Sequence, residues 1–138
     1  MTNSTLSRVL TTTDLSKGTV VKRVGDLEAI LQTKKTTALM GDRITKHTST
    51  YTYLFITHNG VRVAVILKCD TVDVHFYVYP KYRGRHYLSS IIGDGFLKEL
   101  WPDVRSISSV DSSQDSMIKH LAEISGLAYR EDSYRWWY

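Results

Sequence analysis

At 138 residues, with 42% hydrophobic and 23% charged side chains, the chain suits one domain with a single core and is too apolar to be disordered. No apolar run approaches the roughly 18 residues that a membrane-spanning helix needs, and the lone cysteine, Cys69, excludes an intrachain disulfide and a cysteine-based zinc site. A formal charge of +4 and a pI near 9.2 point to an anionic partner, either a phosphorylated cofactor or a nucleic acid.

Met1–Thr5 lacks the basic-then-apolar pattern of a signal peptide, so a cytoplasmic localisation and no membrane partner are expected. Residues 1–18 are rich in Ser and Thr and read as a loosely ordered lead-in, with a short strand near Ser7–Leu10. Thr19–Val24 predicts a strand. Gly25-Asp26 precedes Leu27, Ile30 and Leu31, whose spacing predicts a short helix with Asp26 as N-cap. Residues 33–50 show no clear period and read as loop with one helical turn. Tyr51–Thr57 and Val61–Leu67 flank His58-Asn59-Gly60, and the Asn-Gly pair tolerates the positive φ that a tight hairpin turn demands. Cys69-Asp70 is a second turn.

Residues 71–79 alternate apolar and polar side chains and are rich in β-branched and aromatic residues, which predicts a half-buried strand that Pro80 ends. A basic turn, Lys81-Tyr-Arg-Gly-Arg-His86, follows. Leu88, Ile91, Ile92, Phe96 and Leu100 then recur at helical spacing until Trp101-Pro102 stops the helix. Val104–Val110 is a further strand, and the strand–helix–strand order implies a parallel neighbour. Residues 111–115 hold several N-cap candidates for a helix bearing Met117, Ile118, Leu121 and Ile124, with Gly126 as C-terminal cap. Leu127–Glu131 and Tyr134–Tyr138 read as a closing hairpin. This order predicts one α+β domain over residues 1–138. Its mixed sheet would have antiparallel N-terminal strands, one parallel βαβ crossover, flanking helices and a C-terminal hairpin.

The basic turn points to an anion. A strand runs through a glycine-bearing turn into a helix whose first N–H groups face one spot. No Ser, Thr, Asp or Asn in residues 81–87 caps those donors, while Lys81, Arg83 and Arg85 surround them with charge. The plainer alternative is a solvated basic turn between two packed elements.

Val78-Tyr-Pro-Lys-Tyr-Arg-Gly84 resembles the V-x-P-x-Y-R-G run of the GNAT superfamily of acyl-CoA-dependent N-acyltransferases, and Ser125–Glu131 resembles the end of that family's last helix and the strand after it. His75-Phe-Tyr-Val with Arg83-Gly-Arg is similar to short phage-encoded members in particular. The resemblance spans roughly residues 50–131. It implies a GNAT-like fold, with acetyl-CoA or another acyl-CoA as cosubstrate and no metal. Amides of the turn would hold the coenzyme's pyrophosphate, and main-chain groups near Val78 and Tyr79 would hold its pantetheine arm. The implied coenzyme-binding set is Val78, Tyr79, Arg83, Gly84, Arg85, His86, Tyr87 and Leu88. The chain departs from the family's [Q/R]-x-x-G-x-[G/A] turn, because His86 and Leu88 stand where Gly and Gly or Ala are usual. Gln114 or Asp115 stands near the family's Asn, and Ala122 at the place of its thiolate-protonating Tyr.

Acyl transfer from a thioester to an amine needs a base, a polarised carbonyl and an acid for the leaving thiolate. Asp73 and His75 lie two residues apart on one strand face and are candidate bases, their plain alternative being a solvent-facing strand surface. Tyr77, Tyr79 and Tyr129 are candidate acids, Tyr129 being the one retained. His47, His58 and His120 read as surface residues, and no metal-ligand spacing links the histidines. Trp136 and Trp137 read as core edge. The expected function is acetyl transfer to an amine of a small molecule or a protein. The alternative is a catalytically degenerate GNAT fold serving as a phage structural or partner-binding module, in a host cytoplasm or a virion, as a homodimer or with a protein partner. Nucleic-acid binding, suggested by Lys81–Tyr87, ranks last because that patch is small and lies where a coenzyme would.

Overall fold

A computed structural model describes residues 3–39, 46–68, 72–108 and 115–130. They form an α+β architecture built on one seven-stranded mixed sheet, β1 (Thr19–Val24), β2 (Leu27–Leu39), β3 (Lys46–His58), β4 (Val61–Lys68), β5 (Asp73–Val78), β6 (Ser106–Ser108) and β7 (Ala128–Arg130), arranged in chain order. The first five strands pair antiparallel; β5–β6 and β6–β7 pair parallel. Four helices flank the sheet: α1 (Asn3–Thr12), α2 (Tyr87–Ile92), α3 (Phe96–Leu100) and α4 (Asp115–Ser125). None of the helices among the described residues is long and apolar enough to cross a membrane.

The alternation of side chains along the strands makes two cores. Leu54, Ile56, Ile66, Val74, Phe76 and Val78 face α2, α3 and α4, where Leu88, Ile91, Ile92, Leu97, Ile118 and Leu121 complete the larger cluster. Tyr53, Phe55, Val65, Leu67 and Tyr77 face the other way and meet Leu6 and Leu10 of α1. With both faces covered, β5 is buried along its whole length rather than half-buried.

The hairpin at residues 51–67 forms as predicted. Asn59 and Gly60 both adopt positive φ, the conformation a two-residue turn with the right twist requires. Gly126, also at positive φ, ends α4: its N–H reaches the Glu123 carbonyl at 3.3 Å, and the Leu127 N–H reaches Ala122 at 2.9 Å, the paired bonds of a Schellman cap.

Four expectations are corrected. The lead-in is no loose segment with a strand at Ser7–Leu10, but the helix α1, whose Leu6 and Leu10 are fully buried. Its Ser- and Thr-rich sequence has weak helix propensity, and tertiary burial holds it; Arg62 of β4 clamps its end by donating to the Leu10 and Thr11 carbonyls at 2.9 and 3.2 Å. Residues 27–31 are not a helix capped by Asp26, nor are 33–39 and 46–50 loop: they belong to the long strands β2 and β3. Gly25 at positive φ reverses the chain so that Val24 pairs with Leu27, and strand neighbours on both sides override an apolar spacing only five residues long. The helix expected from Leu88 to Leu100 is two, α2 and α3, because Asp94 and Gly95 both take positive φ. Finally, α4 carries the chain into a second parallel crossover, β6–β7, in addition to the one predicted. The Cys69-Asp70 turn, the N-caps in 111–114, the strand at 134–138 and Trp136 and Trp137 lie outside the described residues.

Candidate functional site

The parallel pairing of β5 with β6 runs from Asp73 opposite Ser106 to His75 opposite Ser108, while β5 continues to Val78. Past Val78 the chain runs through Pro80, turns through Arg83–His86 and enters α2. A cleft of about 330 Å³ opens there. Val78 and its β4 partner Ala64 line it, with Tyr82, Arg83, Gly84, His86, Tyr87, Leu88 and Ser89 on one side and Ser116, Met117, His120 and Leu121 of α4 on the other.

The turn presents donors to this cleft. Gly84 and His86 both have positive φ, and His86 lies in the left-handed region immediately before right-handed Tyr87. Such an alternation of hand turns successive N–H groups to one side and makes an anion-binding concavity. Backbone bonds close on Tyr82 and Arg83 before the turn and on Ser90 after it, whereas the amides of residues 84–89 donate to no carbonyl among the described residues. Ser89 and Ser90 do not compete for those amides, since their hydroxyls donate to the His86 carbonyl at 3.0 and 2.8 Å. His86, at the N-cap of α2, makes no side-chain cap.

The cationic side chains do not all face the cleft. Arg83 donates from Nε to the Val78 carbonyl at 2.9 Å, with its guanidinium carbon 5.8 Å from the Tyr77 ring centre. Its Nη groups have no partner among the described residues, so they remain available to an anion. Arg85 and Lys81 lie over the Tyr82 ring at 5.9 and 5.5 Å, outside the cleft lining. Tyr87 stacks on His58 with 4.7 Å between ring centres, which fixes the ring at the cleft wall.

Of the expected coenzyme-binding residues, Val78, Arg83, Gly84, His86, Tyr87 and Leu88 share the cleft. Tyr79 and Arg85 do not line it. The Tyr79 N–H bonds the Val63 carbonyl at 3.2 Å, and its hydroxyl reaches toward Ser7 of α1.

Asp73 and His75 lie elsewhere. Strand alternation sets them on the sheet face that α1 covers, opposite the face carrying Val78, and neither lines the cleft. Nor are they solvent-facing, the plain alternative for both: Asp73 is 4% and His75 1% exposed. The Ser106 hydroxyl donates to Asp73 at 2.5 Å. Burial pushes the His75 imidazole down to about 4, so the ring is neutral at physiological pH. Tyr129 packs beside the larger core under the Lys119 ammonium, 5.3 Å from its ring centre, also outside the cleft. Ala122 is buried in the core.

The α4 wall is what sequence reasoning missed. Ser116 and His120, and Met117 and Leu121, are pairs four apart on one helix face. The signal was present, because His120 borders the apolar stripe of Met117 and Leu121; nothing local told that this border would face a turn thirty residues upstream. Among the described residues no cluster of His, Cys, Asp and Glu could hold a metal ion. Comparison with protein-family models, curated proteins and solved structures gave no significant match.

Proposed function

We propose that the chain is an acyl-CoA-dependent N-acetyltransferase of GNAT type, moving an acetyl group from acetyl-CoA to an amine of a small molecule or a protein. One observation carries the reading: the cleft beyond the β5–β6 pairing is walled by a run of amides without backbone acceptors among the described residues, with Arg83 also in its lining. A diphosphate would satisfy both kinds of donor.

In this reading the coenzyme's diphosphate lies on the turn and its acyl arm runs along Val78 toward α4. The amine nitrogen attacks the thioester carbonyl and gives up a proton to solvent, the carbon–sulfur bond breaks, and the thiolate takes up a proton. His120 is the imidazole that α4 contributes to the cleft, and an imidazole in reach of the leaving sulfur can serve as general acid, so it is assigned the acid's role in place of Tyr129. Asp73 and His75 become core groups that hold the strand.

A second reading, a GNAT-like fold that binds partners without catalysis, is favoured by one specific feature. The Val78 carbonyl and the Tyr79 amide, the groups expected to hold pantetheine, are engaged by Arg83 and Val63. Thermal-shift titration with CoA and acetyl-CoA, followed by turnover on a panel of amines, separates the two. Stabilisation with thiol release supports the transferase; stabilisation without release supports the second reading; no shift at millimolar ligand removes the transferase.

A further inference from the structure

Three cations crowd the turn, and the cleft accounts for one of them. Arg83 is in its lining; Lys81 and Arg85 are not. Both are nonetheless tied to the cleft wall. His58 stacks on Tyr87 with 4.7 Å between ring centres, and the Tyr87 ring lies 6.5 Å from that of Tyr82. Both tyrosines line the cleft and pack against the larger core. The Lys81 ammonium and the Arg85 guanidinium sit over this last ring, 5.5 and 5.9 Å from its centre. The aromatic row thus ends in a pair of cations at the border of the cleft.

The protein does not neutralise that pair. Among the described residues neither cation makes an ion pair. Residues 74–93 contain no Asp or Glu, and no acidic side chain lines the cleft. Lys81 and Arg85 are exposed, so their donors are open to a ligand. Two like charges drawn to one ring repel each other, and an anion set between them reverses that cost.

Charge matching says which anion. In the coenzyme reading, Arg83 and the turn amides serve the diphosphate. Lys81 and Arg85 remain, and a phosphate monoester carries about −1.5 to −2 at neutral pH, enough to balance both. Coenzyme A bears such a group on its ribose 3′ carbon, one sugar away from the diphosphate. Arg85 is two residues from Arg83, so their Cα atoms are at most about 7.6 Å apart. Side chains of this length reach two phosphates of one nucleotide from such positions.

We propose that Lys81 and Arg85 form a subsite for the 3′-phosphate of coenzyme A, so that the protein selects the 3′-phosphorylated coenzyme over its dephospho form. The inference rests on the coenzyme reading and adds this discrimination to it.

The test is calorimetric titration of the full chain with CoA and with dephospho-CoA at about 150 mM salt. The wild type should bind CoA at least about tenfold more tightly, the effect of one good set of charge-assisted hydrogen bonds. Lys81→Gln/Arg85→Gln should bring that ratio below about threefold while its affinity for dephospho-CoA stays within about threefold of wild type. Its melting temperature should not change, because both residues are exposed. Lys17→Gln/Lys98→Gln, exposed lysines outside the cleft lining with the same change in net charge, should keep the full ratio. If the double variant fails to fold, Arg85→Gln alone replaces it and should lower the ratio by at least about threefold. Equal wild-type affinity for the two ligands would overturn this inference and leave the coenzyme reading standing. A control variant that loses the ratio as fully as Lys81→Gln/Arg85→Gln would do the same. Binding of neither ligand would overturn both.

Discussion

Arg83 and Val78 are tied across the turn: the Arg83 Nε donates to the Val78 carbonyl at 2.9 Å, five residues back along the chain. The bond holds Arg83 against the end of β5, among the residues that line the cleft. Arg83→Ala should therefore weaken CoA binding by about 1–3 kcal/mol, the range for losing a charge-assisted hydrogen bond. Arg83→Lys should not restore it, since an ammonium cannot serve the carbonyl and an anion through a rigid fork. Calorimetric titration of both variants checks this, and unchanged affinity in Arg83→Ala would remove the turn from the site.

His86 occupies the left-handed region, with φ of 59°. An L-residue pays roughly 1–2 kcal/mol there, least for residues with short polar side chains and most for β-branched ones. His86→Gly is expected to hold or raise the melting temperature and to keep CoA binding. His86→Val should lose about 1–2 kcal/mol of stability by urea unfolding. The substitution that the family turn would have at this position is thus predicted to be tolerated here, because the backbone already has the shape that glycine favours.

The buried His75 makes stability depend on pH. Its ring is held near 4, below its ordinary 6.5, because burial disfavours the imidazolium. Between those values the unfolded chain binds a proton that the folded chain does not. Stability is therefore intact above about pH 6.5 and falls as the pH drops toward 4, with a loss of about 2 kcal/mol between pH 7 and 5 from this group. Urea midpoints measured across that range should show the slope in the wild type and a weaker one in His75→Gln. A flat wild-type profile would mean that the ring is solvated.

Leu10 tests the reading of the N-terminal segment. It is fully buried in the smaller core, against a sheet face shared with Phe55, Val65 and Leu67. Leu10→Ala should cost about 2–5 kcal/mol, the usual range for a leucine truncated inside a core. A loose lead-in would lose nothing, so denaturant unfolding of this one variant decides.

The elements that sequence reasoning placed correctly were those whose signals are local. Asn59-Gly60 dictates its own turn, Gly126 its own cap, and the strand alternation from Asp73 to Val78 is visible without a partner. What it missed depended on distant contacts. Leu6 and Leu10 form a helix because Arg62 and the sheet hold it, and Leu27–Leu31 stay extended because strands flank them on both sides. The site divides in the same way. The turn 83–88 was legible from charge, glycine and the absence of caps. His120 was not, since α4 meets the turn only through the crossover, and Asp73 and His75 were misjudged because the face they occupy is covered by α1.

A crystal soaked with acetyl-CoA is the most direct measurement. The account predicts diphosphate density against the amides of Gly84 to Ser89, within hydrogen-bonding distance of an Arg83 Nη, and an acyl arm passing Val78 toward His120. A coenzyme bound elsewhere, or a cleft still empty at saturating ligand, would contradict it.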